Sequence, residues 1–245
     1  MDMKNILTII VVVILLYLFY QHFFADNSVA DLTSMHNGKQ MREFTSDKLP
    51  AGAGTNDFTY SFWFYVNSWS YNYGKKKIIF ERSANNSGAK TPMPRVAFGP
   101  ASNDLEITLS ATDEAGNPVE HPCNIKNVPI QKWTHVVITL MDKTIDVYLD
   151  GKLVKTCLMP GVPFITGLKD NSLFLSPKEA DSDPNSGFSG FISKFRFYAR
   201  SVPPREAYEL YRQGFSDSWG GSALSKFNLK FAFLKDDAEV AALQI

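Results

Sequence analysis

The amino-terminal segment of this chain is an apolar run that matches the thickness of a lipid bilayer. From Ile6 to Phe24 the sequence contains no Asp, Glu, Lys or Arg. As a helix, this stretch would rise about 28 Å at roughly 1.5 Å per residue, close to the hydrocarbon thickness of a bilayer. Residues 6–24 are therefore predicted to be a single transmembrane helix that anchors the chain in a lipid bilayer, after a short tail at residues 1–5.

Two other interpretations of the run stay open. A cleaved signal peptide would begin at Lys4, but the run is long for that purpose and ends in Phe23 and Phe24 instead of small residues. A buried core helix is the third possibility, although no polar residues mark one face. Because Lys4 precedes the run and Asp26 and Asp31 follow it, we expect the amino terminus inside and the large domain outside the membrane.

The charge balance argues against a nucleic-acid partner. The 25 Lys and Arg residues are matched by 25 Asp and Glu, which gives a formal net charge of zero. Nucleic-acid-binding proteins usually carry a basic stripe, whereas the longest basic run here is residues 75–77. We therefore expect no binding to nucleic acid.

The rest of the chain reads as one β-rich domain. Residues 25–43 are polar and are predicted to be a juxtamembrane linker. From Phe44 onward, short runs of aromatic and β-branched residues alternate with Gly, Pro, Asn and Asp, which is typical of strands and turns. We predict an all-β, two-sheet antiparallel sandwich at residues 44–214, with a loop and strand at 215–245 that complete it.

Two local signals are specific. Asp150-Gly151 lies between two alternating runs and supplies the positive φ angles of a tight hairpin turn. One short helix is predicted between Pro203 and Gly214, since proline favours a helix start and glycine a helix end.

Several segments together resemble a known family. They are Phe62-Trp63-Phe64, Trp133-Thr134-His135, Tyr148-Leu149-Asp150-Gly151 and residues 187–214. In order and type they resemble the LamG-like domains of the concanavalin A-like lectin/glucanase superfamily. The resemblance implies a jelly-roll sandwich, in which Trp133 would pack between the two sheets.

A looser similarity concerns the whole layout. A single anchor followed directly by such a domain is similar to membrane-anchored virion proteins of large DNA viruses that infect algae. This similarity implies a minor capsid protein at the interface between the internal membrane and the capsid shell, with neighbouring capsid proteins as partners.

The residues do not predict an enzyme. Retaining glycosidases need two carboxylates about 5–5.5 Å apart, and the hydrolases of the resembled superfamily carry them as Glu-x-Asp-x-x-Glu on one strand. Here Asp146 and Asp150 share a strand with no glutamate, and Glu106 stands alone in its strand. His135 follows Trp133 at strand spacing, which favours a histidine with a satisfied hydrogen bond over a general base.

Two loops are candidate binding sites. Trp69, Tyr71 and Tyr73 alternate in one loop and could form a flat platform for a sugar ring or a partner protein, with burial at the rim of the sandwich as the alternative. Asp181, Asp183 and Asn185 alternate carboxylate and amide oxygens, which suit Ca²⁺, with an ordinary polar loop as the alternative. No cofactor is expected to be required.

The two cysteines, Cys123 and Cys157, fit no zinc-binding pattern. If they lie on adjacent strands with Cα atoms within about 7 Å, they form a disulfide, which needs an oxidising environment.

Two functions follow from these observations. The first is a non-enzymatic structural protein that docks on neighbouring proteins, and the second is a membrane-tethered lectin that binds glycans, with or without calcium. They differ in whether the aromatic loop and the Asp181 loop form one exposed site.

Overall fold

The computed structural model describes most of the chain. Its described ranges are residues 10–17, 28–50, 56–86, 89–165, 170–180, 182–216, 230–235 and 238–244. Residues 10–17 form helix α1, and all eight of its side chains are exposed. Among the described residues, no helix has both the length and the hydropathy that a bilayer crossing requires. Much of the predicted anchor lies outside these ranges, so the anchor stays a prediction.

Two six-stranded antiparallel sheets form the domain. The first has the order β1-β12-β3-β8-β9-β10, and the second has the order β2-β11-β4-β5-β6-β7. The strands of the first sheet are β1 (Val29–Asn37), β3 (Phe58–Ser68), β8 (Thr134–Met141), β9 (Thr144–Leu149), β10 (Lys152–Leu158) and β12 (Ser189–Tyr198). Those of the second are β2 (Arg42–Phe44), β4 (Lys77–Asn86), β5 (Ala89–Phe98), β6 (Leu105–Thr112), β7 (Pro118–Pro122) and β11 (Leu173–Leu175).

The main core lies between the sheets and is rich in aromatic rings. Alternate residues of β3, Tyr60 and Phe62, point into it because successive side chains of a strand face opposite sides. Phe80 from the second sheet packs against Tyr60, with centroids 4.9 Å apart, and against Phe195 at 5.0 Å. The predicted two-sheet antiparallel sandwich is thereby confirmed.

A smaller core covers the outer face of the first sheet. Helix α2 (Pro204–Arg212) begins with proline, as predicted, and places Ala207 and Leu210 over Val137, Tyr148 and Tyr198. The structure adds a second short helix to the domain, a 3₁₀ turn at Ser46–Lys48.

The position predicted for Trp133 is wrong. Trp133 precedes β8 and lies on the outer face, where its ring stacks on Phe215 and contacts Tyr65. The reason is register, since a shift of one residue moves a side chain to the opposite face of a sheet.

Both boundaries of the sandwich also differ from the prediction. The interval 25–43 is not all linker, because it contains β1, which pairs with β12, and the start of β2. The carboxy-terminal segment contains β13 (Lys230–Lys235) and β14 (Ala238–Gln244), which pair with one another as a separate two-stranded sheet.

The strand registers define two ends of the first sheet. One row of paired residues starts at Val29 and runs across all six strands to Thr156. We call the end beyond Val29, where the chain enters β1, the proximal end. The distal end holds Asn37, Ser68 and the Asp150-Gly151 turn. Eight steps of roughly 3.3 Å separate Val29 from Asn37, so the two ends lie about 26 Å apart.

Candidate functional site

Two loops meet at the distal end of the sandwich. Ser68 at the end of β3 pairs with Ser189 at the start of β12, so the loop after β3 and the loop before β12 emerge side by side. The Tyr71 hydroxyl donates to the Ser186 carbonyl at 3.2 Å, and the Asn72 side-chain amide donates to the Gly187 carbonyl at 3.0 Å. We call residues 69–75 together with 182–187 the distal platform.

A third segment supports the distal platform. The Ser186 hydroxyl donates to the Lys39 carbonyl at 3.0 Å, and the Phe188 amide donates to the Gly38 carbonyl at 2.9 Å. The platform is therefore tied to the turn between β1 and β2 as well as to the two strands that carry its loops.

The three predicted aromatic residues have different roles here. Trp69 is half-buried, and its ring packs edge-on against that of Phe98, with centroids 5.7 Å apart. This contact holds the start of the loop against the core. Tyr71 is half-buried and fixed by its hydroxyl. Tyr73 is 67% exposed, and it alone of the three presents most of its surface to solvent. Trp69 is thus placed as the burial alternative describes, whereas Tyr73 is exposed, and a binding role for the loop stays a prediction.

Two lysine side chains lie next to aromatic rings of the distal platform. The buried Lys77 ammonium lies 4.5 Å from the centroid of Trp69 and donates to the Pro100 carbonyl at 3.2 Å. Burial lowers the pKa of Lys77, because it disfavours the charged ammonium. The exposed Lys39 places its ammonium 4.8 Å from the centroid of Tyr71. The half-buried Tyr71 ring of the platform and the exposed Lys39 cation of the supporting turn thus lie side by side.

The predicted calcium ligands are only partly described. Asp183 forms an ion pair with Lys75, and the backbone amide of Ala180 donates to its other carboxylate oxygen at 3.1 Å. The Lys75 hydrogen bond holds the pKa of Asp183 below its usual range. Asn185 is exposed, and Asp181 lies outside the described residues. Among the residues that the structure describes, no three His, Cys, Asp or Glu side chains cluster around a potential metal position.

The carboxylates considered for catalysis have local structural partners. Asp146 accepts a hydrogen bond from the Thr156 hydroxyl at 2.6 Å. Asp150 accepts one from the His135 backbone amide at 2.9 Å, which fixes the hairpin turn beside β8. Glu106 forms an ion pair with Lys76 at 2.8 Å.

His135 is buried under helix α2. Its Nε2 lies 3.0 Å from the Ser61 hydroxyl, and no partner for its Nδ1 is found among the described residues. Burial, aided by the charge of Arg196, lowers the pKa of His135 to about 3. The imidazole is therefore neutral at physiological pH, and its 1% exposure leaves no access for a substrate.

The structure joins Cys123 to Cys157 in a disulfide, with Cα atoms 6.0 Å apart. The two residues do not lie on adjacent strands of one sheet. Cys157 is on β10, the edge strand of the first sheet, whereas the Cys123 amide donates to the Ile107 carbonyl of the second sheet at 2.7 Å. The bond therefore links the two sheets.

A groove of about 550 Å³ lies beside helix α2 on the outer face of the first sheet. Its charged side chains are paired: the Arg200 guanidinium donates to both carboxylate oxygens of Glu206 at 2.9 and 2.7 Å, and Arg196 donates to Asp31 at 3.0 Å. Because these charges already compensate one another, the groove is a weaker candidate than the distal platform.

Sequence patterns did not indicate Asn72 and Ser186 as members of the distal platform, or Lys39 as a neighbour of it. Tyr71 and Ser186 are 115 residues apart, and Lys39 and Ser186 are 147 apart. No motif marks these residues, and only the strand order of the first sheet brings them together.

Comparison with known proteins settles the family. A family model described as the concanavalin A-like lectin/glucanases superfamily matches residues 38–207. The chain belongs to this superfamily. Among curated proteins, no sequence matches the chain.

Solved structures agree with this concanavalin A-like fold. The botulinum neurotoxin serotype D binding domain has a TM-score of 0.53 and 15% identity, over 74% of this chain and 41% of that chain. The binding domain of botulinum neurotoxin DC in complex with SialylT has a TM-score of 0.53 and 19% identity, over 78% and 46%. The chain thus spans less than half the length of these structures, and identities this low establish similarity of fold alone.

Proposed function

We propose that this protein is a non-enzymatic carbohydrate-binding module held at a membrane by its amino-terminal segment. The observation that carries the proposal is the distal platform, a braced pair of loops that exposes the ring of Tyr73. An aromatic face is the surface on which the C–H groups of a sugar ring stack. The Lys39 ammonium, which lies 4.8 Å from the ring centroid of the neighbouring Tyr71, is placed to donate hydrogen bonds to hydroxyl or carboxylate oxygens of a ligand bound at the platform.

The fold relatives support a glycan over other ligands. The superfamily is named for lectins and glucanases, and one structural neighbour is a binding domain in complex with SialylT. The catalytic alternative has no comparable support, because Asp146, Asp150 and Glu106 each have a structural partner and are not gathered at one position.

The membrane tether rests on the apolar segment. Helix α1 exposes a continuous apolar surface, from Ile10 at 49% to Leu16 at 62%, and such a surface is favourable only in a non-aqueous environment. The disulfide suits a domain on the outer, oxidising side of the membrane. Because β1 starts at the proximal end, this orientation directs the distal platform away from the bilayer.

The test is a glycan array probed with the full-length chain in nonionic detergent, with calcium and with chelator. We expect selective binding that Tyr73→Ala weakens about tenfold, since a stacked ring contributes on the order of 1 kcal/mol beyond its buried area. Tyr208→Ala is the matched control, because Tyr208 is also an exposed tyrosine but lies on α2. Absence of binding to any glycan, or equal losses in the two variants, would contradict the proposal.

A structural role is the second candidate, and edge strand β10 favours it. Among the strands that the structure describes, β10 has a partner on one backbone edge only, and it exposes Leu153 at 52% and Val154 at 46%, an arrangement that suits strand addition by a neighbouring protein. This role includes that of a minor capsid protein which links an internal membrane to the capsid shell. A photo-crosslinking residue at Val154 should then join the full-length chain to one defined neighbour in its native membrane or particle, whereas the same residue at Tyr73 should not.

A further inference from the structure

An apolar rim lies at the proximal end of the sandwich. Met141 ends β8 with 55% of its surface exposed, and Leu158 ends β10 with 77% exposed. Both pair with Thr144, so they flank it on the same outer face of the sheet. Val162, 51% exposed, follows four residues after Leu158. We call Met141, Leu158 and Val162 the proximal rim.

The strand registers place this rim on the side from which the chain enters the sandwich. The row that begins at Val29 crosses Thr139 on β8 and Thr156 on β10. Met141 and Leu158 each lie two residues beyond this row, on the side of the residues that precede Val29. At roughly 3.3 Å per residue, they project about 7 Å past the start of β1.

The chain length before β1 limits how far the sandwich can lie from the membrane. If the anchor ends at Phe24, the five steps to Val29 span at most about 17 Å when fully extended. The row from Val29 to Thr156 crosses five strand spacings of about 4.8 Å, or roughly 24 Å. A modest tilt of a domain tethered this closely brings the rim to the bilayer surface.

We propose that the proximal rim rests on the surface of the bilayer that holds the anchor, as a second membrane contact. This inference rests on the membrane tether of the proposed function and adds the orientation of the domain. Exposed apolar side chains gain free energy when they leave water, and they are favourable at such a boundary.

The charges around the rim indicate which kind of lipid headgroup it would contact. Asp113, Glu114 and Asp142 accompany Lys143 at this end. Three of these four side chains are acidic, and an anionic surface would repel them. The partner is accordingly a zwitterionic lipid surface, such as phosphatidylcholine.

The test uses single cysteine labels on the full-length chain. Both native cysteines are held in the disulfide, so an added cysteine reacts selectively when no reductant is present. Met141→Cys, Leu158→Cys and Val162→Cys are labelled with a polarity-sensitive fluorophore, and the chain is reconstituted in phosphatidylcholine vesicles containing nitroxide lipids. Leu153→Cys is the matched control, because Leu153 lies exposed on the same strand at its distal end. Ile14→Cys reports on the anchor.

The expected result is strong quenching and a blue shift at the three rim positions and at Ile14, with neither at Leu153. Quenching at Ile14 without quenching at the rim would overturn the second contact and leave the anchor intact. Equal quenching at Leu158 and Leu153 would also overturn it. If the chain does not float with the vesicles, both the anchor and the rim contact are ruled out, whereas the proposal of glycan binding through Tyr73 is unaffected.

Discussion

Cys157, on the edge strand β10 of the first sheet, is bonded to Cys123, whose backbone pairs with β6 of the second sheet. The residues are 34 positions apart, and Cys123 is almost fully buried in the core between the sheets. The bond closes the sandwich at the edge formed by β10 and β7. The opposite edge, formed by β1 and β2, has no such link among the described residues.

Removal of this bond should destabilise the domain. For a loop of this length, the chain-entropy model gives about 4 kcal/mol. The double variant Cys123→Ala with Cys157→Ala should lower the free energy of unfolding by this order, as measured by urea titration under non-reducing conditions. Reductant should reproduce the effect in the native chain and change nothing in the variant. A difference below about 1 kcal/mol would mean that the link does not constrain the unfolded state.

His135 makes stability depend on pH. Its pKa is about 3 when folded, against an ordinary value of 6.5, because burial favours the neutral imidazole. As the pH falls, His135 is therefore protonated at a higher pH in the unfolded chain than in the folded chain. The stabilising contribution is complete above pH 6.5 and is lost as the pH falls from 6.5 towards 3, by up to about 4 kcal/mol.

The measurement is the free energy of unfolding between pH 4 and 8. His135→Gln keeps a polar group near Ser61 and removes the titration, so its stability should fall less on acidification than that of the native chain. His121→Gln is the control, because His121 is only half-buried and lines a surface groove together with Val119. Identical acid slopes for the native chain and His135→Gln would contradict the assignment.

The accuracy of the sequence predictions followed the range of the interactions. The Asp150-Gly151 hairpin is confirmed, with φ angles of 47° and 74°, because its turn chemistry is local. Strand β1 was missed because its buried residues, Ala30, Thr33 and His36, are spaced by three instead of two. A register shift between Asp31 and Thr33 breaks the alternation.

The candidate site was predicted less completely than the fold. Alternation in the loop sequence marked Trp69, Tyr71 and Tyr73, but it could not distinguish the buried ring from the exposed one. That difference depends on Lys77 and Phe98, which come from other strands and cover Trp69. The face of Trp133 was likewise undetermined, because it depends on a register that sequence patterns do not fix.

Calcium binding at the predicted loop requires Asp183 to leave its lysine. Lys75 occupies one carboxylate oxygen of Asp183, so its ammonium competes with a cation. Calcium should therefore raise the melting temperature more in Lys75→Met than in the native chain, and Asp183→Ala should abolish the rise. Lys178→Met serves as a control for the general loss of positive charge near this loop. No calcium effect in Lys75→Met would rule out calcium binding through Asp183.

The turn at Gly151 packs closely against helix α2. A Cβ atom at this position would lie 2.9 Å from Cδ2 of Tyr208 and 3.1 Å from Cβ of Tyr211, both on α2. Gly116 is a matched control, because it has a similar positive φ of 84°, against 74° for Gly151, but no atom within 4 Å of its Cβ position. Replacement by alanine at either site incurs the left-handed backbone cost of about 1–2 kcal/mol. Gly151→Ala should cost roughly 1–3 kcal/mol more than Gly116→Ala, because it also overpacks the helix contact. Urea unfolding of the two variants measures the difference. Equal losses in the free energy of unfolding would show that α2 can shift to accommodate the added Cβ atom without a loss of stability.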